Sequence, residues 1–180
     1  MISFIVDDVQ FNFRAAAVII DDGYVLLHRA SYEPFWALPG GRVEASEPSA
    51  ATVARELAEE LGPACDAQVG RLLWVVENFY GEEDEPFHEL GMYYLVTFGA
   101  DSAFLAKDRA YDGIEGDLPQ HEDDEYIRLI FQWFPVDALA DMPLYPTFLR
   151  ERLAALPATP ELVAHTDPPW GEAEIAGFES

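Results

Sequence analysis

Three glutamates in the segment LPGGRVEASEPSAATVARELAEELG, Leu38 to Gly62, are spaced for chemistry: Glu56, Glu59 and Glu60 stand at i, i+3 and i+4. On a helix the first neighbours both others, so three carboxylates can point into one small volume. Solvated like charges at this spacing cost only about 0.2–0.5 kcal/mol per pair, too little for the spacing alone to establish a function. The competing reading is a solvated acidic face, and composition favours it. The 180 residues carry 34 acidic against 10 basic side chains, a net charge of −24, with Lys107 the single lysine. The loop upstream tilts the balance. Gly40 and Gly41 let backbone approach a ligand closely, and their carbonyls add oxygens to the carboxylate set. Hard divalent cations, Mg²⁺ above all, take such oxygen shells and keep positions open for water and phosphate oxygens.

Gly41, five residues, Glu47, seven residues, Arg55-Glu56-Leu57, one residue, Glu59-Glu60, one residue and Gly62 together resemble the Nudix box of the Nudix hydrolases. At roughly 5–7% usage per residue type, the seven identities other than Leu57 arise by chance at fixed spacing on the order of 10⁻⁹ to 10⁻⁸ per starting position. Pro63 departs from the pattern, which usually has an aliphatic residue there. The resemblance implies an α/β fold, a Nudix-type α/β/α sandwich with a mixed β-sheet. It also implies hydrolysis of a diphosphate bond in a nucleoside diphosphate linked to another moiety, with Mg²⁺ as cofactor and Mn²⁺ as a substitute. Carried over by position, Glu59 and Glu60 are metal ligands, Glu56 is a ligand or the base, and Gly40 lends its carbonyl. Arg55 joins the catalytic group as the ion-pair partner of Glu47. A non-catalytic Nudix-fold nucleotide-binding or sensor module is the alternative. Such members often lose box glutamates, and here all three are present.

Outside the box the same family takes an additional ligand or base from another glutamate. Glu82, Glu83, Glu85, Glu89, Glu122 and Glu125 are the candidates, with Glu122 and Glu125 favoured slightly because they precede a strand. For each alone, a solvated loop charge is the stronger reading. Arg14 and Arg29 bracket the first hairpin and suit a phosphate oxygen, although surface ion pairing competes. His88 enters a strand beside Glu89, and Phe79, Tyr80, Phe87 and Tyr93 offer rings for stacking, against the ordinary role of core packing.

These groups need elements to position them. Ala15 to Ile20 and Tyr24 to His28 read as strands joined through Asp22-Gly23, a hairpin signal. A helix follows, with Ser46 placed to cap it, Pro48 in its first turn, Gly62 to end it, and Ala50, Ala54, Leu57 and Leu61 as its apolar stripe. GRLLWVVENFY, GMYYLVTFGA and YIRLIFQWF read as further strands, with GEEDEPFHEL as an acidic loop between the first two. PVDALAD and YPTFLRERLAAL read as helices. The domain is expected over residues 1–156. Residues 157–180 are read as an acidic, proline-containing tail packed on the domain or on a partner subunit.

The charge excess repels nucleic-acid backbones and anionic lipid, so no DNA and no membrane partner is expected. With one cysteine, Cys65, neither an internal disulfide nor a cysteine-based zinc site can form within the chain. Asp7 and Asp8 stand where a signal peptide would carry its apolar run, so a cytoplasmic protein is expected. The partner implied by the resemblance is a small nucleotide-type diphosphate, and a homodimer is compatible with it.

Overall fold

Residues 1–115 and 126–168 are described by a computed structural model. Asp22 and Gly23 both take positive φ, 48° and 79°, as a two-residue hairpin turn requires. The chain therefore reverses between β2 (Val9–Asp21) and β3 (Tyr24–Ala30). These strands pair only at Ile20↔Val25 and Asp21↔Tyr24, then part. Beyond the turn, β3 runs antiparallel to β8 (Ile127–Pro135), while β2 runs parallel to β6 (Glu85–Phe98) from Gln10↔Phe87 to Ile19↔Val96. The gap admits β4 (Gly40–Arg42), which pairs Gly40 with Ala16 and Arg42 with Arg14. With β5 (Ala67–Glu82), β7 (Tyr111–Glu115) and β9 (Glu161–Thr166), the order across the sheet is β7-β8-β3-β2-β6-β5-β9. A first short strand, β1 (Ser3–Val6), pairs with the start of β2.

Alternation along β2 builds the three layers. Ala15, Ala17 and Ile19 face a core shared with Val53 and Leu57 of α1 (Ser49–Leu61). Ala16 and Val18 face the opposite core, closed by Leu144, Leu149 and Leu153. The second covering layer is thinner than expected. PVDALAD contains only a 3₁₀ turn at Val136–Ala138, and the helix in YPTFLRERLAAL is the single turn α2 (Leu149–Arg152). Pro143 and Pro146 interrupt this region, so it buries its leucines as an irregular strap.

Three further expectations change. Ser46 does not cap α1: it lies at φ 67°, and Pro48, extended at ψ 136°, precedes the first helical residue. The buried face of α1 is Thr52, Val53, Leu57 and Glu60, while Ala54 is exposed. Val53 and Leu57 bury more apolar area than alanines can, so they set the rotation of the helix. GEEDEPFHEL is not a loop, because β5 and β6 run on to Glu82 and from Glu85, with only Glu83-Asp84 between them. Tyr80 and Phe87 stack across this hairpin at 4.9 Å between ring centroids and hold its end together.

The stretch read as a tail divides. Glu161–Thr166 adds to the sheet as β9, parallel to β5, and Asp167 follows it into the interior, 5% exposed. Residues 169–180, including Trp170, and residues 116–125, including Glu122 and Glu125, lie outside the described residues. Among those described, no helix is long and apolar enough to cross a membrane.

Candidate active site

Rotation of α1 puts Glu60 on its buried face, 6% exposed, where a leucine would ordinarily sit. Burial first, and then the charge of Glu56, push its carboxyl well above the usual carboxylate range. Among the described residues the basic group within ion-pair distance of it is His28, with Nδ1 at 3.8 Å. Burial, and then Arg14, lower the His28 pKa to about 3, so the imidazole stays neutral and supplies no counter-charge. Both Glu60 Oε2 and His28 Nδ1 are buried without a hydrogen-bond partner.

Glu56 lies one turn earlier, above Gly41, where a Cβ would overlap its carboxylate oxygens. Burial also raises the Glu56 pKa, against the pull of Arg55. Arg55 organises the rest of the helix. Its Nε and Nη2 grip the two oxygens of Glu47 at 2.9 and 3.1 Å, and its Nη1 donates to Glu56 Oε1 at 2.9 Å and to Glu59 Oε2 at 3.0 Å. Hydrogen bonding to Arg55 lowers the Glu47 pKa to about 2. Thr52 Oγ1 adds a bond of 2.8 Å to Glu47.

Arg55 holds Glu56 and Glu59, and among the described residues no three carboxylate, imidazole or thiol groups stand at metal-ligand spacing. The residues nevertheless fit a hard divalent cation. The deepest carboxylate has an oxygen with no donor among the described residues, a second carboxylate adjoins it, and the guanidinium that bonds the second, Arg55, is shared with Glu47 and Glu59. A bound cation removes that deficit. The Gly40 carbonyl, expected as a further ligand, accepts a 2.9 Å hydrogen bond from Arg14 Nη2, which also reaches Leu38 O at 3.3 Å. Gly40 holds φ 141°, and a side chain there would strike the backbone of Ala15.

Parting of β2 and β3 opens a cleft of about 600 Å³, and Glu60 forms part of its wall. Arg14 is half-buried in its floor. Burial works against the Arg14 charge, but Glu89 and other neighbours outweigh it and the pKa is raised. Glu89, 9% exposed, faces the cleft from β6, and burial raises its pKa in turn. Arg29 stacks over Trp36 at 5.2 Å and keeps a buried Nε without a partner. Glu82 and Glu85 also line the cleft, as do Tyr80, Phe87 and Tyr93.

The other candidates fall elsewhere. His88, one residue from Glu89, points to the opposite face against Phe11 and Phe79, as strand alternation dictates. The cleft also contains groups that sequence reasoning missed: His28, Asn78, Glu115 and Asp167. A buried histidine in a strand and an aspartate in a proline-rich stretch carry no local signal. Gly113 carries a faint one, since a Cβ there would meet the Glu60 carbonyl, and its absence lets β7 bring Glu115 close to α1.

Comparison with known proteins bears on the fold. No curated protein matches this chain. Among solved structures, a NUDIX hydrolase from Nitrosomonas europaea superposes with TM-score 0.52 at 16% identity, over 86% of this chain and 78% of that one. The MutT protein from Bacillus halodurans gives 0.51 at 19%, over 87% and 91%. A UDP-X diphosphatase gives 0.49 at 21%, with 79% of this chain spanning 57% of that one. At these identities the likeness is one of fold. The model of the NUDIX domain matches residues 11–156, which takes in β2, the glycine loop and all of α1, and the chain therefore belongs to the Nudix family.

Proposed function

We propose that the protein hydrolyses a diphosphate bond in a nucleoside diphosphate linked to another moiety, by attack of water at phosphorus, with Mg²⁺ bound and Mn²⁺ as a substitute. The observation that carries this reading is the buried Glu60 Oε2, without a donor, in a cleft that also holds two arginines. Glu59 and Glu60 would hold the cation, with Glu56 as ligand or base and Gly40 O as a further donor.

Bound there, the cation would neutralise charge on the phosphoryl oxygens and lower the pKa of a coordinated water. The chain's own groups do the rest. A pKa raised by burial makes Glu56 a stronger base than a solvated carboxylate. Arg55 fixes the angle of Glu56, and leaves Glu59 on the half-exposed rim where it can swing between the guanidinium and a cation. Arg14 and Arg29 offer cationic contacts to phosphate oxygens in an otherwise acidic cleft. Glu89, Glu82 and Glu85 are the described candidates for an additional ligand or base.

The substrate is a small nucleotide-type diphosphate, and we place the protein in the cytoplasm, where such compounds are made and consumed. A homodimer is part of this proposal and is tested by light scattering. For the activity itself, the test is a Mg²⁺ assay over nucleoside triphosphates, ADP-ribose, sugar nucleotides, dinucleoside polyphosphates and NADH, scored by product identity. Turnover that needs the cation supports hydrolysis. Ligand-induced stabilisation without phosphate release favours the sensor reading instead.

A further inference from the structure

The cleft end formed by Asn78 and Asp167 has no part in the chemistry above. Asn78, 3% exposed, stands on β5 in register with Glu89 on one side and His165 of β9 on the other. Its Nδ2 donates to Asp167 Oδ2 at 2.9 Å. The other Asp167 oxygen accepts from Thr147 N at 2.7 Å and Thr147 Oγ1 at 2.8 Å, and lies 3.0 Å from His165 Nε2. Asp167 is itself placed by its backbone N–H, which donates to Phe79 O at 2.9 Å.

This network decides which way the amide faces. A carboxylate offers only acceptors, so the NH₂ of Asn78 must turn toward Asp167, and its carbonyl oxygen must turn away. That oxygen, Oδ1, is buried with no hydrogen-bond partner among the described residues, on a side chain whose residue lines the cleft. An acceptor so placed is costly to leave unsatisfied and selects for a ligand that brings a donor. The planar faces of Tyr80 and Phe87 adjoin it in the same wall.

We infer that Asn78, positioned by Asp167, is a specificity-determining residue that reads an N–H or O–H donor on the nucleoside portion of the substrate. The inference rests on the nucleotide reading of the cleft and extends it to the wall built by β5 and the residue after β9. It also gives a role to residues beyond 156, where the family match ends. Two donors share this chemistry, an exocyclic amine of the base and a hydroxyl of the ribose.

The test is calorimetric binding of AMP, IMP, 2′-deoxy-AMP and 3′-deoxy-AMP to the full chain with Mg²⁺ present. These mononucleotides have no anhydride bond, so none is turned over at one. Wild-type protein is expected to bind AMP about tenfold or more tightly than one analogue. Weak IMP identifies the base amine, and a weak deoxy analogue identifies the ribose hydroxyl. Asn78→Leu should abolish that preference. Asp167→Asn, which allows the amide to turn either way, should reduce it while the protein still melts cooperatively, a change that loss of packing alone does not produce. Equal binding of all four, no binding of any, or a preference that survives both substitutions would overturn the inference. Mg²⁺-dependent phosphate release tests the hydrolase reading separately. Preference without release defeats that reading alone, and release without preference defeats this one alone.

Discussion

Gly41 and Glu56 occupy one space between them: the carboxylate of Glu56 lies where the side chain of any other residue at 41 would begin. The glycine is thus part of the carboxylate's position. Gly41→Ala is expected to displace Glu56 and lower kcat by about a hundredfold, the scale of an ångström-sized misplacement of a reacting group. Steady-state kinetics beside a melting curve check this, with a small change in Tm expected because α1 keeps its apolar contacts.

Glu60 should trade stability for function. Its folded-state pKa lies above the unfolded value of 4.5, so the folded protein holds a proton that the unfolded chain gives up. Folding stability from this group is then undiminished below about pH 4.5 and falls as pH rises through the folded pKa. Glu60→Gln is expected to abolish Mg²⁺-dependent turnover and to stabilise the metal-free protein at pH 8 by about 1–3 kcal/mol, the size of an uncompensated buried polar group. Thermal melts at pH 5 and pH 8 measure it, and the gain should shrink at the lower pH. An unchanged turnover in Glu60→Gln would remove the metal assignment.

A lysine cannot replace Arg55. The guanidinium serves three carboxylates at once, Glu47 through Nε and Nη2 and both Glu56 and Glu59 through Nη1, a planar fork that a single ammonium cannot reproduce. Arg55→Lys should cost about 10–100-fold in kcat/KM, as expected for a group that orients ligands without touching substrate. Activity titrated against Mg²⁺ should show a higher half-saturating concentration in the variant.

Arg14 and Glu89 are coupled in the floor of the cleft. Arg14→Met strips Leu38 O and Gly40 O of their donor and removes a positive charge that partly offsets the burial of Glu89. The expected loss is about 1–3 kcal/mol in urea unfolding, with part of it recovered by adding Glu89→Gln. Simple additivity of the two substitutions would show that they do not interact.

The box end of the cleft was legible in the sequence because a helix converts spacing into proximity: Arg55, Glu56, Glu59 and Glu60 lie within two turns. The glycines announced themselves for a related reason, since close backbone approach admits only one residue type. Burial of Glu60 was not legible. In a chain this acidic the carboxylate face reads as solvated, and only packing of Val53 and Leu57 turns Glu60 inward. The far end was illegible because Asn78 and Asp167 are 89 positions apart and meet only through β9. The acidic hairpin was misread because charge density at 82–85 hid the alternation around it.

Parallel pairing of β9 with β5 also separates the two groups of cleft residues in the chain. A parallel strand cannot join its partner through a short turn, and the segment from β6 to α2 lies between β5 and β9 in sequence. The box carboxylates stand on one helix, whereas Asp167 meets Asn78 only through β9. Fraying of this one edge strand would therefore loosen selectivity before it touched the catalytic helix, so the two ends can be lost independently.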